Sequence, residues 1–157
     1  VNDLETQLSP RIINRLIKNR GFMILYTHFN EHVKMTGLPQ LLIKNLDYLK
    51  RKTVDKKVFM TTTSRLLKYK EMRENLLFQT QIRNDEMEIH ISKEIETPVG
   101  IKLVKHEHLQ GLTFYTDSPK KTKILFDQTP VKIAVNPKDE TGKQSVSIPW
   151  IKLNYPR

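Results

Sequence analysis

The sequence predicts an α+β chain in two parts: βα units up to residue 75, then a small antiparallel β-sandwich of about seven strands over residues 76–157. Three observations carry this reading. Apolar residues recur at helical spacing in three stretches before Asn75, with short apolar runs between them that suit buried strands. After Asn75 the apolar period becomes two, and turn residues interrupt the pattern at short intervals. No run approaches the ~18 apolar residues of a transmembrane helix, so no membrane span is expected.

The elements follow in order. Ser9-Pro10 is a helix start, Ile12, Ile13, Leu16 and Ile17 share one helical face, and Gly21 is a stop signal. Phe22–Thr27 is a nearly continuous apolar run, read as a buried strand that ends in polar residues 28–32. A helix from about Pro39 carries Leu42, Leu46 and Leu49 inward, and Val58–Met60 is a second short strand. Thr61–Ser64 supply caps for a last helix, from about Ser64 to Asn75, with Leu66, Leu67 and Met72 inward. This order reads as parallel βα units with crossover helices. The later strands are Leu77–Ile82, Met87–Ser92, Ile101–Lys105, Leu112–Thr116, Lys123–Phe126, Val131–Val135 and Ser145–Trp150, parted by Asn84-Asp85, Pro98 with Gly100, Asp117–Pro119 and Asp139–Gly142.

The chain has 157 residues, a net charge of +10 and no cysteine, which removes disulfides, thiolate metal sites and cysteine nucleophiles. The charge is uneven, with 15 basic and 7 acidic residues up to Asn75 against 12 and 10 after it. Such a basic half suggests an anionic partner. Yet Arg11, Arg15, Lys18, Lys50, Arg51 and Lys52 lie on polar helix faces and last turns, where cations suit the helix dipole. No helix-turn-helix, zinc finger or aromatic RNA-binding motif accompanies them, so nucleic acid is not the favoured partner. Glycine-rich phosphate loops and a G-x-S-x-G nucleophile elbow are also absent.

Two buried parallel strands cannot cover both faces of a sheet. With a first residue Val1, this points to the C-terminal part of a larger α/β protein. The residues resemble a family at this point. Gly21–His28, an apolar strand ending in histidine, looks like a late strand of the polysaccharide deacetylase (NodB-homology) barrel. Leu38-Pro39 with Leu46–Lys50 resembles the helix that follows it there, and Val58–Thr61 with Ser64–Tyr69 resembles the final strand and helix. The β-rich part, ending in Ser145–Trp150 and Tyr155-Pro156, is similar to the sandwich appended to some of these proteins. The match covers residues 10–75, and its motifs are short.

The resemblance implies the end of a distorted α/β barrel from a metal-dependent hydrolase that removes N- or O-acetyl groups from carbohydrate. In such enzymes an Asp and two His hold a divalent metal, a second Asp is the base, and a late-strand His protonates the leaving amine. His28 matches that last position. The Asp pair and the early H-x-x-x-H metal site belong upstream of this sequence. The chain is therefore expected to hold no metal itself, to need the missing N-terminal part of the barrel as its partner, and to be inactive alone on its carbohydrate substrate. His28 and His32 themselves form an H-x-x-x-H, and a rival alignment makes them metal ligands. Two other functions stay open: a carbohydrate-binding or structural interaction module without catalysis, and a basic nucleic-acid or anionic-polymer binder.

Other residues admit two readings. His106 and His108 would share a strand face and could bind a metal, but no third ligand is near in sequence, and a polar edge or loop explains them. His90 falls on the solvent face of its strand. Trp150 and Tyr155 could stack on a sugar ring, whereas Trp150 could equally anchor the last strand in the core, with Pro149 marking an edge. Phe114 and Tyr115 alternate, one in and one out, and the hydroxyls of Thr61–Ser64 are explained by capping.

Overall fold

The computed structural model of the chain describes residues 4–26 and 37–153. It divides into two units, residues 1–63 and 64–157. The first is helical, with α1 (Leu4–Gln7), α2 (Pro10–Lys18) and α3 (Gln40–Val54). Pro10 opens α2, where its missing N–H has no intrahelical partner to lose and its fixed φ suits the helix. Leu4, Leu8, Ile13, Leu42 and Leu49 are buried together as the core of this unit. Two polar ties fix α3 against its neighbours. The buried Asn45 donates through Nδ2 to the Glu5 carbonyl at 2.8 Å, and the Tyr48 hydroxyl donates to Asn14 Oδ1 at 2.6 Å.

Both longer helices end in a Schellman cap. After α2, the Gly21 N–H donates to the Leu16 carbonyl and the Arg20 N–H to that of Ile17, both at 3.1 Å. After α3, the Lys57 N–H donates to the Lys52 carbonyl at 2.9 Å and the Lys56 N–H to that of Thr53 at 3.1 Å. The left-handed positions fall on Arg20 (φ 47°) and Lys56 (φ 56°). Gly21, the expected stop, thus sits one residue beyond the position that favours glycine.

The two expected strands of this unit are not formed among the described residues. Residues 22–26 and 58–60 enter no ladder. In each segment one residue, Met23 or Val58, packs on the helical core. Phe22, Ile24, Leu25 and Tyr26 are exposed, as are Phe59 and Met60. An apolar run carries the composition of a strand, but a ladder also needs a neighbouring backbone. The α/β barrel-end arrangement is accordingly not seen here.

The second unit joins the last helix, α4 (Thr63–Asn75), to the strands. Packing rather than sequence period decides this, because Met72 is buried among the strand residues. Leu67, expected inward, is exposed. Eight strands follow: β1 (Leu76–Arg83), β2 (Glu86–Thr97), β3 (Gly100–Leu103), β4 (Thr113–Tyr115), β5 (Thr122–Phe126), β6 (Thr129–Pro130), β7 (Ala134–Asn136) and β8 (Ser145–Ser147). They form a five-stranded sheet, β1-β2-β5-β6 with β3 also on β2, and a three-stranded sheet, β4-β8-β7. The fold is α+β with mixed sheets. The expected all-antiparallel arrangement fails at β2 and β5, which pair in parallel from Met87–Thr122 to Ile91–Phe126. A parallel pair needs a crossover, and residues 98–121 supply it.

One core serves both sheets. Ile89, Ile91 and Ile95 of β2, Ile124 of β5 and Val146 of β8 are buried with Met72, Leu109, Leu112 and Ile148. Two-residue turns close two hairpins, Asn84-Asp85 between β1 and β2 and Asp127-Gln128 between β5 and β6. All four residues have φ between 51° and 64°, as type I′ turns require.

Two substitutions test this account by denaturant unfolding. Ile124→Ala is expected to destabilise the β unit by about 2–5 kcal/mol, since a fully buried side chain leaves a cavity. Lys56→Gly relieves a left-handed non-glycine residue and should stabilise the helical unit by up to ~1 kcal/mol. A loss of stability in Lys56→Gly would refute the capping account.

Candidate functional site

Three stretches of the second unit converge on one pocket. On α4, Arg65, Lys68 and Tyr69 lie at i, i+3 and i+4 and so share a face. The crossover contributes a 3-10 turn, His106–Leu109, followed by Gln110 and Gly111. Beyond β8 the chain contributes Trp150. A cavity of about 320 Å³ is lined by Ser64, Arg65, Lys68, Tyr69, Glu107, His108, Gln110 and Trp150.

The half-buried indole is the centre of this arrangement. Gly111 has φ 83°, and a β-carbon there would collide with Trp150 Cε2 and Cζ2. Glycine is therefore required twice, by backbone conformation and by contact. The Arg65 guanidinium lies 4.7 Å from the indole ring, and the Tyr69 ring is tilted 49° to it at 5.8 Å. Arg65 is fixed further by donating through Nη2 to Gln110 Oε1 at 2.9 Å and to the Ile151 carbonyl at 2.8 Å. The Ile151 N–H donates to the same Gln110 oxygen at 3.1 Å. Gly111 itself is tied to the strand end by its N–H on the Ile148 carbonyl at 2.8 Å.

The charges around the pocket are set by their partners. Lys68 and Lys102 each hold the Glu71 carboxylate at 2.6 Å. Hydrogen bonds from Lys102 and then Lys68 outweigh burial and lower the Glu71 pKa from 4.5 to about 2. His108 is pushed below the usual histidine range, first by burial and then by the charge of Lys68. Its Nδ1 accepts the Lys105 N–H at 3.1 Å, so the neutral ring carries its proton on Nε2. The pocket thus offers an aromatic wall, a held guanidinium, a neutral imidazole donor and an amide, with the Glu107 carboxylate at its edge.

A second polar cluster occupies the outer face of the large sheet. Gln81 donates through Nε2 to Glu88 Oε2 at 2.9 Å, and His90 Nε2 lies 2.6 Å from Gln81 Nε2 and 3.1 Å from Glu88 Oε2. The Gln81 hydrogen bond, then that of His90, lowers the Glu88 pKa. Gln79, Thr80, Arg83 and Gln128 complete a shallow depression with Gln81 and His90. It lacks any aromatic wall.

The structure treats the sequence candidates unequally. His28, His32 and Tyr155 lie outside the described residues. His106 and His108 sit on a 3-10 turn and not on a strand, so the two-residue alternation does not apply to them. His90 is on the polar sheet face, half-buried between Gln81 and Glu88. Trp150 stands beyond the end of β8 and not within a strand. Phe114 is half-buried and Tyr115 exposed, as their alternation predicts. Arg65, Tyr69, Gln110 and Gly111 carried no sequence signal of their own. Only the spacing of Arg65, Lys68 and Tyr69 on one helix face could have grouped three of the lining residues.

Among the described residues no three His, Asp or Glu side chains converge as a metal site. No helix among them is long and apolar enough to cross a membrane. Comparison with family models, curated proteins and solved structures returns no match.

Two measurements test the local chemistry. Gly111→Ala is expected to expel the indole, visible as changed fluorescence of Trp150, the sole tryptophan, and to cost about 2 kcal/mol or more. For Glu71 the folded pKa is depressed, so its contribution to stability is full above about pH 4.5 and fades as pH falls toward about 2. Glu71→Gln should flatten the stability profile across that window; an unchanged acid limb would exclude the Lys68–Glu71–Lys102 triad as its source.

Proposed function

We propose that the second unit recognises carbohydrate without catalysis, through the Trp150 pocket. The supporting observation is the combination of a half-buried indole and a tyrosine ring with Arg65, His108, Gln110 and Glu107 around one cavity. Aromatic faces accept the apolar C–H faces of a sugar, while planar polar groups pair with its hydroxyls. The volume, about 320 Å³, lies at the small end of the ~300–1,000 Å³ of ligand sites and suits one sugar ring. At about 0.3 kcal/mol per heavy atom, one ring gives a Kd near the millimolar range.

A second reading rests on the polysaccharide deacetylase resemblance: the chain is the C-terminal part of such a hydrolase and contributes His28 as the acid for the leaving amine. Its support is the strand-like composition of the apolar segments at 22–26 and 58–60, most of whose large side chains are exposed. The divalent metal of those enzymes would activate water and polarise the acetyl carbonyl. Among the described residues no three His, Asp or Glu side chains lie together to hold it. Both readings take carbohydrate as the partner; a nucleic-acid partner is the third, and steep salt dependence would mark it.

The experiment is a calorimetric titration of the chain with N-acetylated and non-acetylated sugars. Saturable binding should appear, be lost in Trp150→Ala, and fall about tenfold or more in Gln110→Ala. No binding, or binding indifferent to both variants, would reject the pocket as a glycan site.

A further inference from the structure

Strand β1 is an open edge of unusual composition. Among the described residues it pairs with β2 alone, regularly from Phe78–Ile91 to Arg83–Glu86 and, across a register shift, at Leu76–Ile95. Its exposed residues include Leu77 at 58%, Phe78 at 49% and Ile82 at 78%. Edge strands are ordinarily blunted by lysine, proline, an inward charge or short length. Of the other single-partner strands of this sheet, β3 has four residues, follows Pro98 and carries Lys102, and β6 has two residues, the second a proline. β1 has eight residues with neither lysine nor proline, and its only charge is Arg83 at the very end.

We propose that β1 pairs antiparallel with β1 of a second copy about a two-fold axis at Thr80, joining the two large sheets edge to edge. Antiparallel pairing keeps even-numbered residues opposite even-numbered ones, so each face stays continuous across the joint. With Thr80 opposite Thr80, Phe78 of each copy faces Ile82 of the other. The two exposed apolar residues of its core face thereby form two aromatic–β-branched pairs, a favourable class of cross-strand contact. Gln79 then faces Gln81 on the polar side.

Charge argues for a second copy as the occupant. In a chain of net charge +10, the joint from Leu76 to Ile82 contains no charge to repel its equivalent. The two-fold sets the two Arg83 side chains at opposite ends, each beside the start of the other copy's strand, which Glu74 precedes by two residues. One strand per copy buries less than the ~1,200 Å² of standard interfaces, so the dimer should form at about 10–100 µM.

Analytical ultracentrifugation of the whole chain should show a reversible dimer in that range. Thr80→Lys places two ammonium groups opposite each other and should weaken it at least ~tenfold, while an equimolar mixture of Thr80→Lys and Thr80→Glu should restore it. The chain has no cysteine, so Thr80→Cys should cross-link oxidatively into dimers, whereas Val99→Cys on the exposed β2–β3 turn should not. A chain monomeric throughout this range, a dimer indifferent to Thr80→Lys, or equal cross-linking at both cysteines would overturn the proposal. None of these readouts depends on carbohydrate.

Discussion

The second unit depends on the pairing of β2 from both sides. Along one edge it holds β1, and along the other it holds β5 in parallel and β3 beyond it. Its inward residues Ile89, Ile91 and Ile95 are each almost fully buried, and Met72 of α4 packs with them. The parallel pairing with β5 has the larger consequence. Because two parallel strands cannot be joined by a hairpin, the chain must travel around the core between Thr97 and Thr122. That obligatory path carries the 3-10 turn, Gln110 and Gly111. The candidate site is thus a by-product of strand order: the crossover brings its polar residues to the face of α4 that presents Arg65 and Tyr69.

Within the pocket, order comes from mutual constraint more than from burial. Gln110 Oε1 accepts from both Arg65 and the Ile151 N–H, so the guanidinium and the chain after Trp150 share one acceptor. The indole lies against Gly111 and near Arg65, and both of these are hydrogen-bonded in turn to the chain beside Trp150. Such a closed set of contacts fixes rotamers before any ligand arrives, which lowers the ordering cost of binding. Glu71 contributes from outside, holding Lys68 and Lys102 in ion pairs. The +10 charge of the chain therefore overstates how cationic this site is.

Much of the local structure was legible in the sequence because short-range physics decided it. The Ile12–Ile17 spacing, the start at Ser9-Pro10 and the Leu42–Leu49 face all specify helices that depend on their own periodicity. Asn84-Asp85 marked a hairpin because left-handed conformations suit those residues. The errors arose where non-local partners decide. Phe22–Tyr26 has strand composition but enters no ladder among the described residues. The parallel alignment of β2 with β5 leaves no local trace, since alternation is the same in either direction. His106–His108 read as alternating only on the assumption of a strand that a 3-10 turn replaced. The site was hidden for the same reason, being built from α4, the crossover and the segment after β8.

Trp150 stands between the two readings of an aromatic residue. As a core anchor it would be buried in a strand, and as a binding platform it would stand open to solvent. It does neither: half-buried past the end of β8, it packs against Gly111 and Tyr69 and also walls the cavity. A residue that both supports and lines a site couples the two functions, so a change that loosens its packing also moves the wall a ligand would meet. Stability of the β unit and affinity at the pocket should therefore vary together at Gly111 and Trp150. At Glu107, which lines the cavity from the crossover without being part of the buried core, they should separate. That separation distinguishes a site that recognises a ligand from an aromatic cluster that only closes the end of the sheet.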